Sequence, residues 1–261
     1  MDPAAAFARD GAVILRGVLS AEMIGILRRG IDENIASPSR MAKIASSADD
    51  PGLFIEDFCN WGRIEAYRQV IFESDLGRIA SALMGGASVR LFHDHMLTKE
   101  AGTRAPTPWH QDQPYYNVEG RWNVSFWIPV DPVERSASLK FVAGSHLGPW
   151  RMPRSFLDKE ARWFPEGVLA ELPDIDADPA AFEILSWALE PGDAVAFHML
   201  TLHASGPTKV RRRVFSVRFL GDDATHAPRP WPTSPEFPGL EAELPAGAPM
   251  DHPLFPMVWS G

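Results

Sequence analysis

Two stretches decide the reading of this chain: Trp109-His110-Gln111-Asp112-Gln113-Pro114 and, far along the sequence, Leu202-His203-Ala204-Ser205-Gly206-Pro207. On an extended segment residues i and i+2 point to one face, so His110 and Asp112 are expected to grip one ion while a distant strand delivers His203. Two histidines and a carboxylate on one face of an octahedral metal leave three positions open. The His-x-Asp pair alone says little. With eight histidines in 261 residues, such a pair arises by chance roughly 0.5 times. The weight lies with the residues after His203.

Behind His203 come a Ser205-Gly206-Pro207 turn and then Arg211-Arg212-Arg213, leading into Val214-Phe215-Ser216-Val217-Arg218-Phe219-Leu220. The alternation of the last run predicts a half-buried strand with arginine at its mouth. Guanidinium binds carboxylate through two parallel charge-assisted bonds, so an arginine about ten residues past a metal histidine suits the far carboxylate of a dicarboxylic cosubstrate. An isolated basic triplet would more simply be a solvated turn. Its place behind His203 favours the binding role.

Further motifs stand in a telling order. They begin with Phe7-Ala-Arg-Asp-Gly-Ala-Val-Ile-Leu-Arg-Gly-Val-Leu-Ser20, followed by Met96-Leu-Thr-Lys99, Trp109-His-Gln-Asp112 and Trp127-Ile-Pro-Val-Asp131. Ala137-Ser-Leu-Lys-Phe-Val-Ala-Gly-Ser-His146, Pro191-Gly-Asp193 and His203-Ala-Ser205 complete the series. In this order and spacing the chain resembles the phytanoyl-CoA dioxygenase-like iron(II)/2-oxoglutarate oxygenases over most of its length. The resemblance implies a double-stranded β-helix (jelly roll, cupin-like) core with helices packed outside one sheet.

It also implies His110, Asp112 and His203 as iron(II) ligands, with 2-oxoglutarate and dioxygen as the other reactants. Trp127, Ser205 and an arginine of the triplet match positions that contact 2-oxoglutarate in relatives, and His95 falls where another contact is found. The interval from His203 to the arginine is shorter than in many relatives, and Thr208 stands where they carry asparagine. Both Arg212 and Arg213 therefore remain candidates. Strand alternation sets Arg212, Val214 and Ser216 on one face and Arg213 on the other, which favours Arg212. Halogenases of this class carry a small residue at the Asp112 position, so a retained carboxylate points to hydroxylation.

Composition bounds the alternatives. The hydrophobic share of 45% and charged share of 23% are those of a globular protein, and 261 residues suit one β-rich domain. A net charge of -9 works against nucleic acid or an anionic membrane as partner, leaving a small-molecule substrate. One cysteine, Cys59, excludes an intrachain disulfide. With no basic, apolar start and no long apolar run, the cytoplasm is the default location. Oligomeric state stays open.

The layout is read as one domain over residues 1–261. Residues 1–88 form a mostly helical support, 89–221 the mainly β core with an insertion at 148–190, and 222–261 an irregular tail. A short strand is expected at Ala12 to Leu15, and helices at about Ala21 to Ile35 (capped by Ser20), Ile64 to Phe72 and Leu76 to Met84. Residues 37–62 read as a long loop bordering the site. Strands are expected at Val89 to Thr98, Asn123 to Val130, Leu139 to Ala143, Ala194 to His198 and Arg212 to Leu220, a jelly-roll pattern.

Other histidines compete for attention. His198 stands five residues before His203 but lacks the turn and arginine behind it, so it reads as a core residue. His93 and His95 share a strand face without a third ligand, since Asp94 faces the other way. His226 and His252, among prolines, read as exposed. The insertion carries Trp150, Phe156, Trp163, Phe164 and Trp187 with Arg151, Arg154 and Arg162, which suits a lid over the substrate as well as a plain surface excursion. The expected activity is hydroxylation of an aliphatic C–H with release of succinate. The rivals are a cupin-like metal enzyme not using 2-oxoglutarate and a non-catalytic β-sandwich binding module.

Overall fold

The structure, a computed structural model, describes residues 2–152 and 169–261. The chain opens with helix α1 (Pro3–Asp10), which the sequence reading did not foresee although its start is signalled. The Asp2 side chain accepts from the Ala4 amide and Pro3 sits in the first turn, both favoured at helix starts. Strand β1 (Ala12–Leu15) and helix α2 (Ala21–Ala36) follow, the latter capped by Ser20 accepting from the Met23 amide. Helices α3 (Glu65–Glu73) and α4 (Leu76–Met84) fall where the periodicity places them. Gly85, with φ 79°, ends α4 in the left-handed region where a side chain is costly.

The long segment between α2 and α3 is not a plain loop. It holds β2 (Lys43–Ile44) and β3 (Phe54–Phe58). Too short to show a period, β3 is made a strand by pairing with β4 (Ser88–Lys99). The remaining strands are β5 (Thr107–His110), β6 (Val118–Glu119), β7 (Asn123–Pro129), β8 (Leu139–Val142), β9 (Ile184–Leu185), β10 (Ala194–Phe197), β11 (His203–Ser205) and β12 (Arg212–Leu220). The tail, expected to be irregular, adds β13 (Thr225–His226), the short helix α5 (Leu240–Glu243) and β14 (Met257–Ser260), which extends β4. Its apolar end docks by backbone pairing as well as by side-chain burial.

Among the described residues most strands form two facing antiparallel sheets of a jelly roll, while β6 and β13 pair in a separate two-stranded sheet. The larger runs β1-β10-β7-β12-β4-β3-β2, with β14 also on β4, and the smaller runs β5-β11-β8-β9. Alternation sorts the core. Phe126 and Ile128 of β7 and Phe215, Val217 and Phe219 of β12 point outward to meet Leu27, Ile31, Tyr67 and Val70 of the helices. Their neighbours Trp127 and Val214 point between the sheets with Phe141, Val195 and Phe197. Burial of the outer set anchors the large sheet to its helices, leaving the inter-sheet space for chemistry.

Trp187 of the 148–190 segment packs partly buried beside Phe141, and β9 is an edge strand on β8, so the end of that segment belongs to the core. Arg229 lies 4.9 Å over the Trp150 ring. Phe156, Trp163, Phe164, Arg154 and Arg162 lie outside the described residues. Among the described residues no helix is long and apolar enough to cross a membrane.

Candidate metal centre

His110 ends β5 and His203 begins β11, and the two are cross-strand partners. Each ring is fixed by the carbonyl two residues earlier: His110 Nδ1 lies 2.8 Å from the Pro108 oxygen and His203 Nδ1 2.9 Å from that of Thr201. A carbonyl only accepts, so Nδ1 carries the proton and Nε2 presents its lone pair. Burial, then the neighbouring His110, pushes His203 down to about 3, so its imidazole stays neutral as a metal ligand must.

Asp112 arrives differently from the expected alternation along a strand. After His110 the chain leaves the extended conformation, and Asp112 (φ -75°, ψ -45°) opens a 3-10 turn over Gln113–Tyr115. The amides of Asp112 and Gln113 both donate to the Met199 carbonyl, at 2.8 and 3.0 Å, pinning the turn to the approach of β11. Intervening Gln111 is turned to Leu200 and Arg151. The outcome is convergence: Asp112 Oδ1 lies 3.5 Å from His110 Nε2 and 3.6 Å from His203 Nε2, all three residues buried.

The three ligand atoms lie within 4.8 Å of one another. A cation with bonds of about 2.1 Å sets adjacent ligand atoms about 3 Å apart, so a small inward adjustment seats a divalent ion here. Two imidazoles and one carboxylate on one side suit iron(II) with open positions. Burial opposes ionisation of Asp112, but Arg218, His203 and His110 outweigh it and hold the carboxyl well below the usual range.

Beside the triad, β12 and β4 present a ladder of inward-facing pairs: Arg212 opposite Lys99, Val214 opposite Leu97, Ser216 opposite His95, and Arg218 opposite His93. Arg212 is buried, its guanidinium donating to the Ala137 carbonyl and lying 5.5 Å over the Trp127 ring. Burial lowers it to about 10. Arg213 faces the helices and is already engaged, 2.7 Å from Asp131 and 2.9 Å from Asp32. Trp127 is cross-strand to Ser216, and Ser205 is buried two residues past His203. His95 stacks on Phe58 at 3.9 Å, with Nε2 3.3 Å from Glu56 Oε2 but in no hydrogen bond.

Three residues near the site escaped the sequence reading: Arg218, Tyr116 and Lys99. Arg218 was the most accessible, since it continues the alternation of Arg212, Val214 and Ser216. The competing His198 is otherwise employed. His198 Nε2 faces the Arg121 carbonyl at 2.9 Å and its Nδ1 accepts from the Leu200 amide, so neither nitrogen is left for a metal. Asp94 faces away from the triad, accepting from the amides of Asn60 and Trp61. His226 is not exposed as expected but buried, Nδ1 2.6 Å from the Leu244 carbonyl, because the tail folds back over it.

A jelly-roll core enclosing a buried His-Asp-His triad is a fold built to hold one divalent metal ion with open positions. The chain belongs to the phytanoyl-CoA dioxygenase (PhyH) family, whose match covers residues 7–214. It is 28% identical over 142 residues to a protein of Stutzerimonas stutzeri named a probable alpha-ketoglutarate-dependent hypophosphite dioxygenase, covering 53% of this chain and 48% of that one. A protein of Caenorhabditis elegans named a probable phytanoyl-CoA dioxygenase is 26% identical over 191 residues, covering 70% and 55%. The matches thus span about half the length of these curated relatives.

Among solved structures, the epimerase SnoN of nogalamycin biosynthesis, in complex with Fe3+, alpha ketoglutarate and nogalamycin RO, matches with TM-score 0.76 at 22% identity over 98% of this chain and 97% of that one. The non-heme alpha ketoglutarate dependent carbocyclase SnoK matches with TM-score 0.77 at 20% identity, covering 98% and 95%. EctD from S. alaskensis, with 2-oxoglutarate and 5-hydroxyectoine, matches with TM-score 0.67 at 18% identity, covering 94% and 83%. Identities this low establish the shared fold.

Proposed function

We propose that this protein oxidises an aliphatic C–H bond of a small organic substrate, hydroxylating it while 2-oxoglutarate is converted to succinate and CO2. The single observation that carries the reading is the convergence of three buried ligand atoms from His110, Asp112 and His203. A buried arginine without a carboxylate partner among the described residues, Arg212, faces the same inter-sheet space.

In this reading His110 and His203 offer Nε2 and Asp112 offers Oδ1 to iron(II). Bound there, the metal supplies the oxidative chemistry that couples loss of CO2 from the cosubstrate to attack on the substrate. The protein orients and keeps dry. Arg212 takes the distal carboxylate of 2-oxoglutarate, and the Trp127 ring under its guanidinium holds that group flat for a two-bond contact. Ser205 and His95 line the cosubstrate. The partner is thus a small molecule, and retention of Asp112 leaves no place for a halide.

Oxygen uptake coupled to succinate release tests the reading. A purified protein loaded with iron(II) should release succinate from 2-oxoglutarate, faster with substrate present, and His203→Ala should abolish it. Oxygen uptake without succinate would instead indicate a cupin-like enzyme using another reductant. Ligand binding with neither would indicate a binding module.

A further inference from the structure

The two oxygens of Asp112 face opposite neighbours. Oδ1 lies 3.5 and 3.6 Å from the two histidine nitrogens, while Oδ2 accepts from Arg218 Nη2 at 3.2 Å. The same guanidinium donates through Nε to the Tyr116 hydroxyl at 3.1 Å. Tyr116 closes the 3-10 turn that Asp112 opens, so Arg218 holds both ends of the segment that delivers the carboxylate. Arg218 itself sits on β12 between β4 and β7, paired with His93 and Ser125 just before the β12–β4 register shifts at Phe219. Its Nη1 makes no hydrogen bond, so Asp112 and Tyr116 are its polar partners among the described residues.

We propose that Arg218 is a positioning residue which, by engaging Oδ2, restricts Asp112 to one-oxygen coordination of the metal. A carboxylate free to turn can close on a cation through both oxygens. With two histidines and one carboxylate oxygen, a six-coordinate ion keeps three open positions: two for a chelating 2-oxoglutarate and one for dioxygen. With both carboxylate oxygens bound, only two remain, and cosubstrate and oxygen compete. A cation is the suitable guard, because it holds Oδ2 by charge-assisted bonding without closing the metal position itself. The sequence supports this placement, since Arg218 falls on the inward phase of β12 shared by Arg212, Val214 and Ser216.

The inference rests on the triad being the metal site, and the test separates the two. The probe is manganese(II) alone, and the readout is its enhancement of water-proton relaxation, which counts water molecules on the bound ion. Wild-type protein should show about three, falling to about one when 2-oxoglutarate is added. Arg218→Met should still bind manganese but show about two waters, a fall of about one third in the bound-water contribution, and about none with 2-oxoglutarate. Arg218→Lys, which keeps a cationic donor on the same side, should retain the wild-type number.

Equal water numbers in wild type and Arg218→Met would overturn the proposal, as would loss of the water in Arg218→Lys. Failure of the wild type to bind manganese would instead sink the metal reading beneath it. Should Arg218→Met not fold, Arg218→Leu, which likewise has no donor, is measured in its place and the same outcomes decide.

Discussion

Arg212 and Lys99 stand directly opposite each other across the pairing of β12 with β4, two cations buried side by side. Neither forms an ion pair among the described residues. The Lys99 ammonium donates to the Ala105 carbonyl at 2.7 Å and lies 4.7 Å over the Phe54 ring, while Arg212 donates to Ala137. Paired buried cations are costly unless an anion joins them. This pole is where the structure most needs a carboxylate.

Replacing Arg212 with alanine should weaken 2-oxoglutarate binding by about 2–5 kcal/mol, thirtyfold or more, because a desolvated carboxylate loses its two-bond partner. Arg213→Ala should leave cosubstrate affinity within about threefold of wild type, a change of under about 0.7 kcal/mol. It should nevertheless lower stability by about 1 kcal/mol, since Arg213 bridges Asp131 and Asp32. Calorimetric titration with 2-oxoglutarate and urea unfolding of both variants check this. A larger binding loss at Arg213 would reverse the assignment.

Lys99 predicts a pH dependence. Burial, and then Arg212, push its ammonium down to about 7. The unfolded chain holds this proton to about pH 10.4, so between these values the unfolded state binds more protons and stability rises with pH, by up to about 1.4 kcal/mol per unit. Lys99→Met removes the linkage. Without cosubstrate, wild type should gain on the variant from pH 7 towards 10, whereas below pH 6 the gap between them should be constant. Urea unfolding across this range measures it, and parallel curves would refute it.

Each of His110→Ala, Asp112→Ala and His203→Ala should reduce iron binding at least tenfold while leaving a folded protein. His198→Ala should retain iron, because both of its nitrogens serve the backbone. Metal content of the purified variants, with circular dichroism as the folding control, decides. Full occupancy in His203→Ala together with loss in His198→Ala would show that the distal ligand is misassigned.

The reaction product is expected to gain one oxygen from labelled dioxygen, with no chlorine incorporated even in abundant chloride. Asp112 and the two histidines fill three coordination positions, the cosubstrate two and dioxygen the sixth, which leaves chloride none. Mass spectrometry of the product checks this. A chlorine isotope pattern would refute the hydroxylation reading.

Much of the fold was legible where burial alternates over enough residues. β12 begins and ends where the sequence pattern does, and β4, β7 and α2 agree within a residue or so at each end. β3 and β14 were hidden because their strand character comes from an edge of β4 offered by distant chain. α1 was passed over because its eight residues show only one strongly apolar side chain, Phe7.

The sequence by itself determined the types of the candidate ligand residues, their order along the chain and the face of β12 that turns inward, because these follow from side-chain chemistry and a strand period of two. Tertiary structure decided how Asp112 reaches the two histidines. The expected strand continuation is replaced by a 3-10 turn anchored on Met199, an acceptor distant in sequence and therefore invisible to local pattern. It also decided that Arg218 grips Oδ2 and that Lys99 stands beside Arg212, since both depend on which strands become neighbours and in what register.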